Sequence, residues 1–435
     1  MAEKFEKKVE LVAWLQNPET KWDAEDAAAH GARGCFSEKS VAQLQQEEIQ
    51  KPNYGHRKEV IFAETSGREH GAVLDQSCFT FSIDNLTRAS TLFLCAPEYA
   101  CHLQQSLRRA TAERGFHIPE GLDEKGITLM KMQFELYEKM QKEKIPAEDA
   151  RFILPLYTKT AIETTLNARE LQHLDSISRR DGIPTEVRNT IEQMVSQAAE
   201  KAPRMMQNRV ANYEVLSWYP SSQLFARKNN TICEWLDEIN RKYPVDLIDY
   251  TGRPLMSSRD IDNAIKSRDE AELANLKHYH FTFMAQMSLA AFHQATRQRT
   301  WNQSVEPLDR AITKGNYVIP PTIGEHPLNV DYKLLSYSSI EYAQEAINKD
   351  NHEAIGVVPH SLIVGDLIHI NGWNAIHSIG KRTCTEAQWE IRGIAQKMAE
   401  QIREVRPEIG RYAVPQGQLY GRCPEKKPCG LCKPK

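Results

Sequence analysis

Three groups of residues have types and spacings suited to chemistry. Arg297-Gln298-Arg299 lies within Gln294-Ala-Thr-Arg-Gln-Arg-Thr-Trp-Asn-Gln-Ser304. Guanidinium grips phosphate through paired hydrogen bonds, so closely spaced arginines invite an anionic ligand. On a helix, the expected setting here, side chains two apart diverge and reach separate groups; the plain alternative is a solvated basic turn. Cys423-x5-Cys429-x2-Cys432 sits among Pro, Gly and Lys. Close thiols beside lysines suit zinc or an iron–sulfur cluster, with Cys384 or a histidine as fourth ligand; a disordered or redox-active tail is the other reading. His278-Tyr-His280 would place two imidazoles on one strand face. No carboxylate follows at ligand spacing, so these read as ordinary core or surface histidines.

Periodicity indicates the elements that must position these groups. Residues 9–15 read as a buried first strand ended by Asn17-Pro18, and 24–34 as a short helix with Gly34 as its C-cap. Residues 79–83 alternate at strand period, and a helix is expected over 86–107. The clearest amphipathic helix is 126–142, with Ile127, Met130, Phe134, Tyr137 and Met140 at three- and four-residue steps. Residues 155–165 read as extended, and Asn167 caps a helix running through His173. Further on come a strand at 280–284, a helix at 288–302, a strand at 361–370, a helix from Asn371 and a last helix over 386–405. Helices and strands mix without strict alternation, which predicts an α+β class. Beyond Tyr412 the composition reads as a tail. Cys78, Cys95 and Cys101 read as small core residues, and Trp14, Trp218, Trp235 and Trp301 as packing of cores and copy–copy contacts.

The order of elements repeats because the sequence does. Glu10-Leu11-Val12-Ala13-Trp14 returns as Glu214-Val215-Leu216-Ser217-Trp218, Phe79-Thr80-Phe81 as Phe281-Thr282-Phe283, and Glu186-Val187-Arg188 as Glu390-Ile391-Arg392. An offset near 200 residues kept along the chain marks a duplicated domain. The copies are read as 1–211 and 212–413, followed by a cysteine-containing tail over 414–435. With 435 residues, 41% apolar and 26% charged, the chain has the composition of a soluble globular protein. A net charge of −3 gives no general pull towards nucleic acid or membrane. No signal peptide or membrane-length apolar run is visible, and the cysteines do not form a secreted disulfide pattern, so a cytoplasmic location is expected.

Taken in order, several phrases resemble the flavin-dependent thymidylate synthases. These are Glu148-Asp149-Ala150-Arg151-Phe-Ile-Leu154-Pro155, Asn167-Ala168-Arg169-Glu-Leu171-Gln-His173, and Ala387-Gln388-Trp389-Glu390-Ile391-Arg392. Arg297-Gln298-Arg299 matches that family's Arg-His-Arg signature with the central His replaced. The resemblance spans nearly all of both copies. It implies two tandem α+β domains, each a mixed sheet flanked by long helices. It also implies FAD, deoxyuridine monophosphate (dUMP), a methylenetetrahydrofolate donor, NADPH as reductant, and sites shared between the subunits of a homotetramer.

Carried over by position, the resemblance makes Arg297 and Arg299 flavin-binding, where the first copy reads Ala96-Pro97-Glu98. It assigns Ser106, Arg108 and Arg151 to the nucleotide phosphate, where the second copy has Pro307, Asp309 and Ile355. Asn167, Arg169 and His173 match a flavin patch and face Asn371, Trp373 and His377. Gln294, a nucleotide contact, faces Phe93. Arg382 would face the pyrimidine as the catalytic group, opposite Ser178. One copy thus holds each arginine that the other lacks. The reading is an enzyme transferring a one-carbon unit to C5 of a uridine nucleotide at composite sites, as a homodimer mimicking the tetramer. Gln298, and Gln104 where Glu is expected, leave room for another pyrimidine or donor. The alternatives are a catalytically silent nucleotide- or flavin-binding scaffold and flavin-dependent base modification of RNA.

Overall fold

The computed structural model describes residues 6–68, 70–207, 220–221, 224–225, 231–238 and 244–432. The chain divides into two compact units, 1–221 with 345–358, and 222–344 with 359–435. Each is built on a four-stranded sheet whose central strand alternates large apolar side chains.

In the first unit, Phe79, Phe81 and Ile83 point to one face and are fully buried. They belong to β2 (Phe79–Thr87), which pairs with β1 (Lys8–Trp14) and β4 (Lys159–Leu166); β3 (Cys101–Gln104) completes the order β1-β2-β4-β3. Helices α1 (Ala24–Gly34), α2 (Arg88–Leu94), α3 (Glu124–Lys142), α4 (Ala168–Ser178) and α5 (Thr185–Lys201) belong to this unit. Strand β1 is an edge strand. Val9 is its only buried residue, and Val12 and Trp14 are exposed, so the expectation of a buried first strand is corrected. The expected 86–107 helix is also corrected. Strand pairing carries on to Thr87, whose side chain accepts from the Ser90 amide and starts the seven-residue α2. A turn then leads into β3.

The second unit repeats the pattern with β5 (Val245–Tyr250), β6 (His280–Ser288), β7 (Asn302–Val305) and β8 (Ile363–Asn371), in the order β5-β6-β8-β7. Its helices include α6 (Leu289–Ala295), most of α7 (Asn329–Ile347) and α8 (Trp389–Val405). All pairings in both sheets are antiparallel, in place of the mixed sheet expected. Even an irregularity repeats. Val9, Glu10 and Leu11 face Ile83, Ser82 and Phe81 before the register slips at Val12. Val245, Asp246 and Leu247 face Ala285, Met284 and Phe283 before it slips at Ile248. The counterpart of β1 is therefore Val-Asp-Leu-Ile-Asp-Tyr at 245–250. The phrase 214–218, expected in that role, lies outside the described residues, as does Trp218.

In the first unit the second-copy residues 352–357 form a short 3-10 turn. The Leu156 amide donates to the Val358 carbonyl (2.8 Å), and the Tyr157 hydroxyl to Glu353 (2.8 Å). A Cβ on Gly356 would stand 2.5 Å from the Tyr157 ring, so only glycine fits under that buried aromatic. This unit therefore contains both Arg151 and its counterpart Ile355.

Among the described residues no helix is long and apolar enough to cross a membrane. Trp301 is buried as expected, but Trp14 and Trp235 are exposed. Cys95 is buried, whereas Cys78 and Cys101 are exposed, correcting their reading as core residues.

Candidate functional site

In the second unit, Ser288 caps α6 and also hydrogen-bonds through its amide and hydroxyl to Glu390 of α8. Helix α6 stops at Ala295, not at Asn302 as expected, so Arg297-Gln298-Arg299 occupies the turn before β7. The arginines therefore do not project from a helix. The turn is pinned from below. The Trp301 indole donates to Ser378 Oγ (2.7 Å), the Thr300 hydroxyl to Asn374 Oδ1 (2.7 Å), and Asn374 Nδ2 to the Thr300 carbonyl (3.0 Å). Asn374 and Ser378 lie on a helix over 372–382 that begins at the Asn371 cap and has a π-helical middle at Ala375–Ile379. Such wide turns re-aim side chains and recur at functional sites.

The last residue of that helix is Arg382. With the Gln298 amide oxygen facing it, Gln298 accepts from Arg382 Nη2 at 2.6 Å and Nε at 2.9 Å. The residue standing where the signature has His thus holds the guanidinium opposite. One turn back along α6, Gln294 has a buried Nε2 with no hydrogen-bond partner. Arg297 and Arg299 thus stand on this pinned turn, with Arg382 held against it through Gln298.

The first unit brings together another expected set. The Arg108 Nε donates to Glu148 Oε2 (2.6 Å) and the Arg151 Nε to the Glu148 carbonyl (3.1 Å), while the Arg108 amide donates to Ser106 Oγ (3.3 Å). Ser106 is exposed, Arg108 half-buried and Arg151 buried. Where the second copy has Arg299, Glu98 stands here, and burial together with the nearby Glu170 pushes its carboxyl pKa up. That field opposes a second anion.

Asn167 caps α4 as expected, accepting from the Glu170 amide (2.8 Å). It also donates to Asp75 (3.1 Å), and Arg169 Nη1 pairs with the same carboxylate (3.0 Å). His173 is 1% exposed, so it packs inside α4's buried face beside Glu170. Sequence reasoning missed Asp75, Gln298's grip on Arg382 and the Asn374–Ser378 support. The partners of Asn167 and Gln298 are distant in sequence, and no local spacing announces them. His278 ends a 3-10 turn and His280 opens β6, so they do not share a strand face. His280 instead stacks near His369, with ring centroids 6.0 Å apart.

Two open clefts, about 670 Å³ in the first unit and 770 Å³ in the second, are lined by none of the expected binding residues. A smaller cavity of about 190 Å³ in the second unit is lined by Lys381, Arg382, Cys384 and all three tail cysteines. Among the described residues no group of three or more His, Cys, Asp or Glu side chains is arranged to hold a single metal ion.

Comparison with known proteins gives one consistent family. Residues 19–204 and 257–408 match the family described as "Thymidylate synthase complementing protein". The chain is similar to the flavin-dependent thymidylate synthase of Thermococcus onnurineus, at 32% identity over 31% of this chain and 59% of that protein. The enzyme of the same name from Pyrococcus furiosus is 29% identical over 39% of this chain and 70% of that protein. The one from Geobacter sulfurreducens is 28% identical over 43% of this chain and 82% of that protein. Solved structures similar to it include a UMP/dUMP methylase from Streptomyces cacaoi, at 17% identity and TM-score 0.40, covering 51% of this chain and all of that one.

Proposed function

The chain belongs to the thymidylate synthase complementing protein family, and on that premise we propose that it transfers a one-carbon unit to C5 of a uridine nucleotide with bound FAD. The observation that carries the reading is the Gln298–Arg382 pair set between Arg297 and Arg299 on a pinned turn. The donor set suits FAD, because the two arginines match a pyrophosphate. Asn167 and Arg169, already facing the Asp75 carboxylate, suit a neutral hydrogen-bonding part of the flavin better than a phosphate. His173 positions α4 behind them. FAD would supply the redox chemistry of the transfer, with NADPH as reductant and methylenetetrahydrofolate as donor.

In this reading the protein's own groups bind and orient. Ser106, Arg108 and Arg151 hold the nucleotide phosphate, turning binding energy into alignment of the base. Gln294 contacts the nucleotide. Arg382, held by Gln298, offers a fixed positive charge where the pyrimidine becomes electron-rich, which stabilises the transition state without reorganisation. The two copies, with 1–211 supplying the phosphate anchors and 212–413 the flavin arginines, complete each other in a homodimer that stands in for a tetramer. Replacement of arginine by Ile355, Trp373 and Ser178 at the opposite positions supports this complementarity, since an arginine buried without an anion is costly.

The test is purification of the full chain followed by denaturation. The expected result is a flavin absorption band, FAD in the supernatant and saturable binding of dUMP or UMP. Arg151→Ala should weaken nucleotide binding and Arg297→Ala flavin retention. A colourless protein that binds neither, after FAD has been supplied, refutes the reading.

A further inference from the structure

The residues after Tyr412 do not trail away from the fold as a tail. Gln416–Leu419 forms a helical turn, and the segment through Cys432 lines a cavity together with residues 381–387. Four of the chain's nine cysteines meet there: Cys384 from the end of the 372–382 helix, and Cys423, Cys429 and Cys432 from the terminal segment. Chance would scatter these thiols, since 38 residues lie between Cys384 and Cys423. The backbone is fitted closely to them. A Cβ on Gly417 would lie 3.1 Å from the Cys432 sulfur and 3.2 Å from the Cys423 Cα, a tight fit that a side chain could take only if the thiol or backbone gave way by a few tenths of an ångström.

Lys381, Arg382 and Lys427 line the same cavity, together with Glu386 and Glu425.

We propose that Cys384, Cys423, Cys429 and Cys432 form a four-thiolate site for a soft metal centre, an iron–sulfur cluster or a zinc ion. Tetrahedral sulfur sets select these centres over oxygen-loving cations. Each thiol gives up its proton on ligation, so binding strengthens with rising pH. No three of these thiols are already placed to hold a metal ion, so ligation requires the 423–432 segment to close towards Cys384. The proposal does not rest on the catalytic reading, although Arg382 both lines the cavity and is gripped by Gln298.

The test is metal and acid-labile sulfide analysis of the full chain purified without oxygen and without chelators. The expected result is about four irons and four sulfides per chain, or one zinc without sulfide. Cys423→Ser and Cys429→Ser should each lower the content at least fivefold, Cys384→Ser likewise, while Cys35→Ser, just past α1, leaves it unchanged. Circular dichroism distinguishes a variant that has lost metal from one that has lost its fold. Should a variant unfold, the wild-type chain is stripped by chelator and its uptake of iron with sulfide, or of zinc, is titrated instead. Metal-free wild-type protein that takes up neither, or full content in the folded Cys384→Ser chain, overturns the proposal. Flavin content is measured in the same samples, so failure here and failure of the FAD reading can be told apart.

Discussion

The two sheets share strand order, antiparallel pairing and a one-residue slip at the same place in the edge strand, yet their polar residues differ at nearly every position that matters. Ile162 of β4 and Asp366 of β8 hold equivalent places, each opposite the third inward residue of the central strand. One is an ordinary core residue; the other is a fully buried carboxylate. The comparison teaches that backbone register is maintained by alternating apolar side chains, which both copies keep. The charges can move between copies without disturbing it.

The largest effect should come from changing the arginine that only one copy has. Arg382→Ala is expected to lower kcat/KM for nucleotide methylation by about 10²–10³-fold, the usual cost of losing a preorganised charge at the reacting group. Ser178→Ala at the mirror position, buried with its hydroxyl on the Asp175 carbonyl, should leave kcat/KM within about threefold. Equal losses from the two changes would mean that the copies are not functionally distinct.

The second comparison concerns stability. Asp366 accepts from Gln303 Nε2 (2.6 Å), but its other oxygen is buried without a partner, and desolvation raises its pKa to about 7. A carboxyl with a folded pKa above the unfolded value binds its proton more tightly in the folded state. Its contribution to stability is therefore full below about pH 4 and is lost as pH rises towards 7. Asp366→Asn removes this titration. Chemical denaturation should show its advantage over wild type growing by about 2–3 kcal/mol between pH 5 and pH 8. Parallel pH profiles for the two proteins would show that Asp366 is not a buried carboxylate.

How much of this was legible in the sequence depends on the range of the signal. Helix 124–142, the Asn167 cap and the alternation in β2 and β6 follow from neighbours within a few residues, and the sequence shows them. The extents of α2 and α6 differ from expectation because strand pairing runs on to Thr87 and Ser288, which then cap helices of only seven residues each. The β1 counterpart was misplaced because residues 15–78 are far longer than 251–279. A constant offset therefore pointed to 214–218, when conserved spacing resumes only from β6. At the site, residue types and motif order brought out the arginines. Their partners Glu148, Gln298 and Asp75 depend on tertiary geometry, which no local pattern encodes.

Gln298 offers a smaller and more specific test. Gln298→Ala leaves Arg382 without the two hydrogen bonds that aim it, and kcat/KM should fall about tenfold, with KM for the nucleotide changing less than kcat. Gln298→His, which keeps an acceptor, should recover most of that loss. If alanine and histidine behave alike, the grip is incidental.

The smallest effect lies in the paired helix caps, and it separates structural from functional roles most cleanly. Asn167 accepts from the Glu170 amide at 2.8 Å, and Asn371 from the Asn374 amide at 2.9 Å, so alanine at either should cost about 1 kcal/mol in a denaturant midpoint measurement. Aspartate preserves a cap oxygen and should restore stability at position 371. At position 167 it would set a second carboxylate beside Asp75, whose acceptance from Asn167 and Arg169 would be disturbed, so the restoration there should be partial. Function should divide differently. Asn371 begins the helix that pins the arginine turn and ends at Arg382, so its alanine variant should lose activity beyond its loss of stability, while Asn371→Asp keeps both. Asn167→Ala should instead weaken flavin retention with little change in nucleotide affinity. If the caps cost the same stability and neither changes flavin or nucleotide binding, the functional difference between the copies lies in the arginines alone.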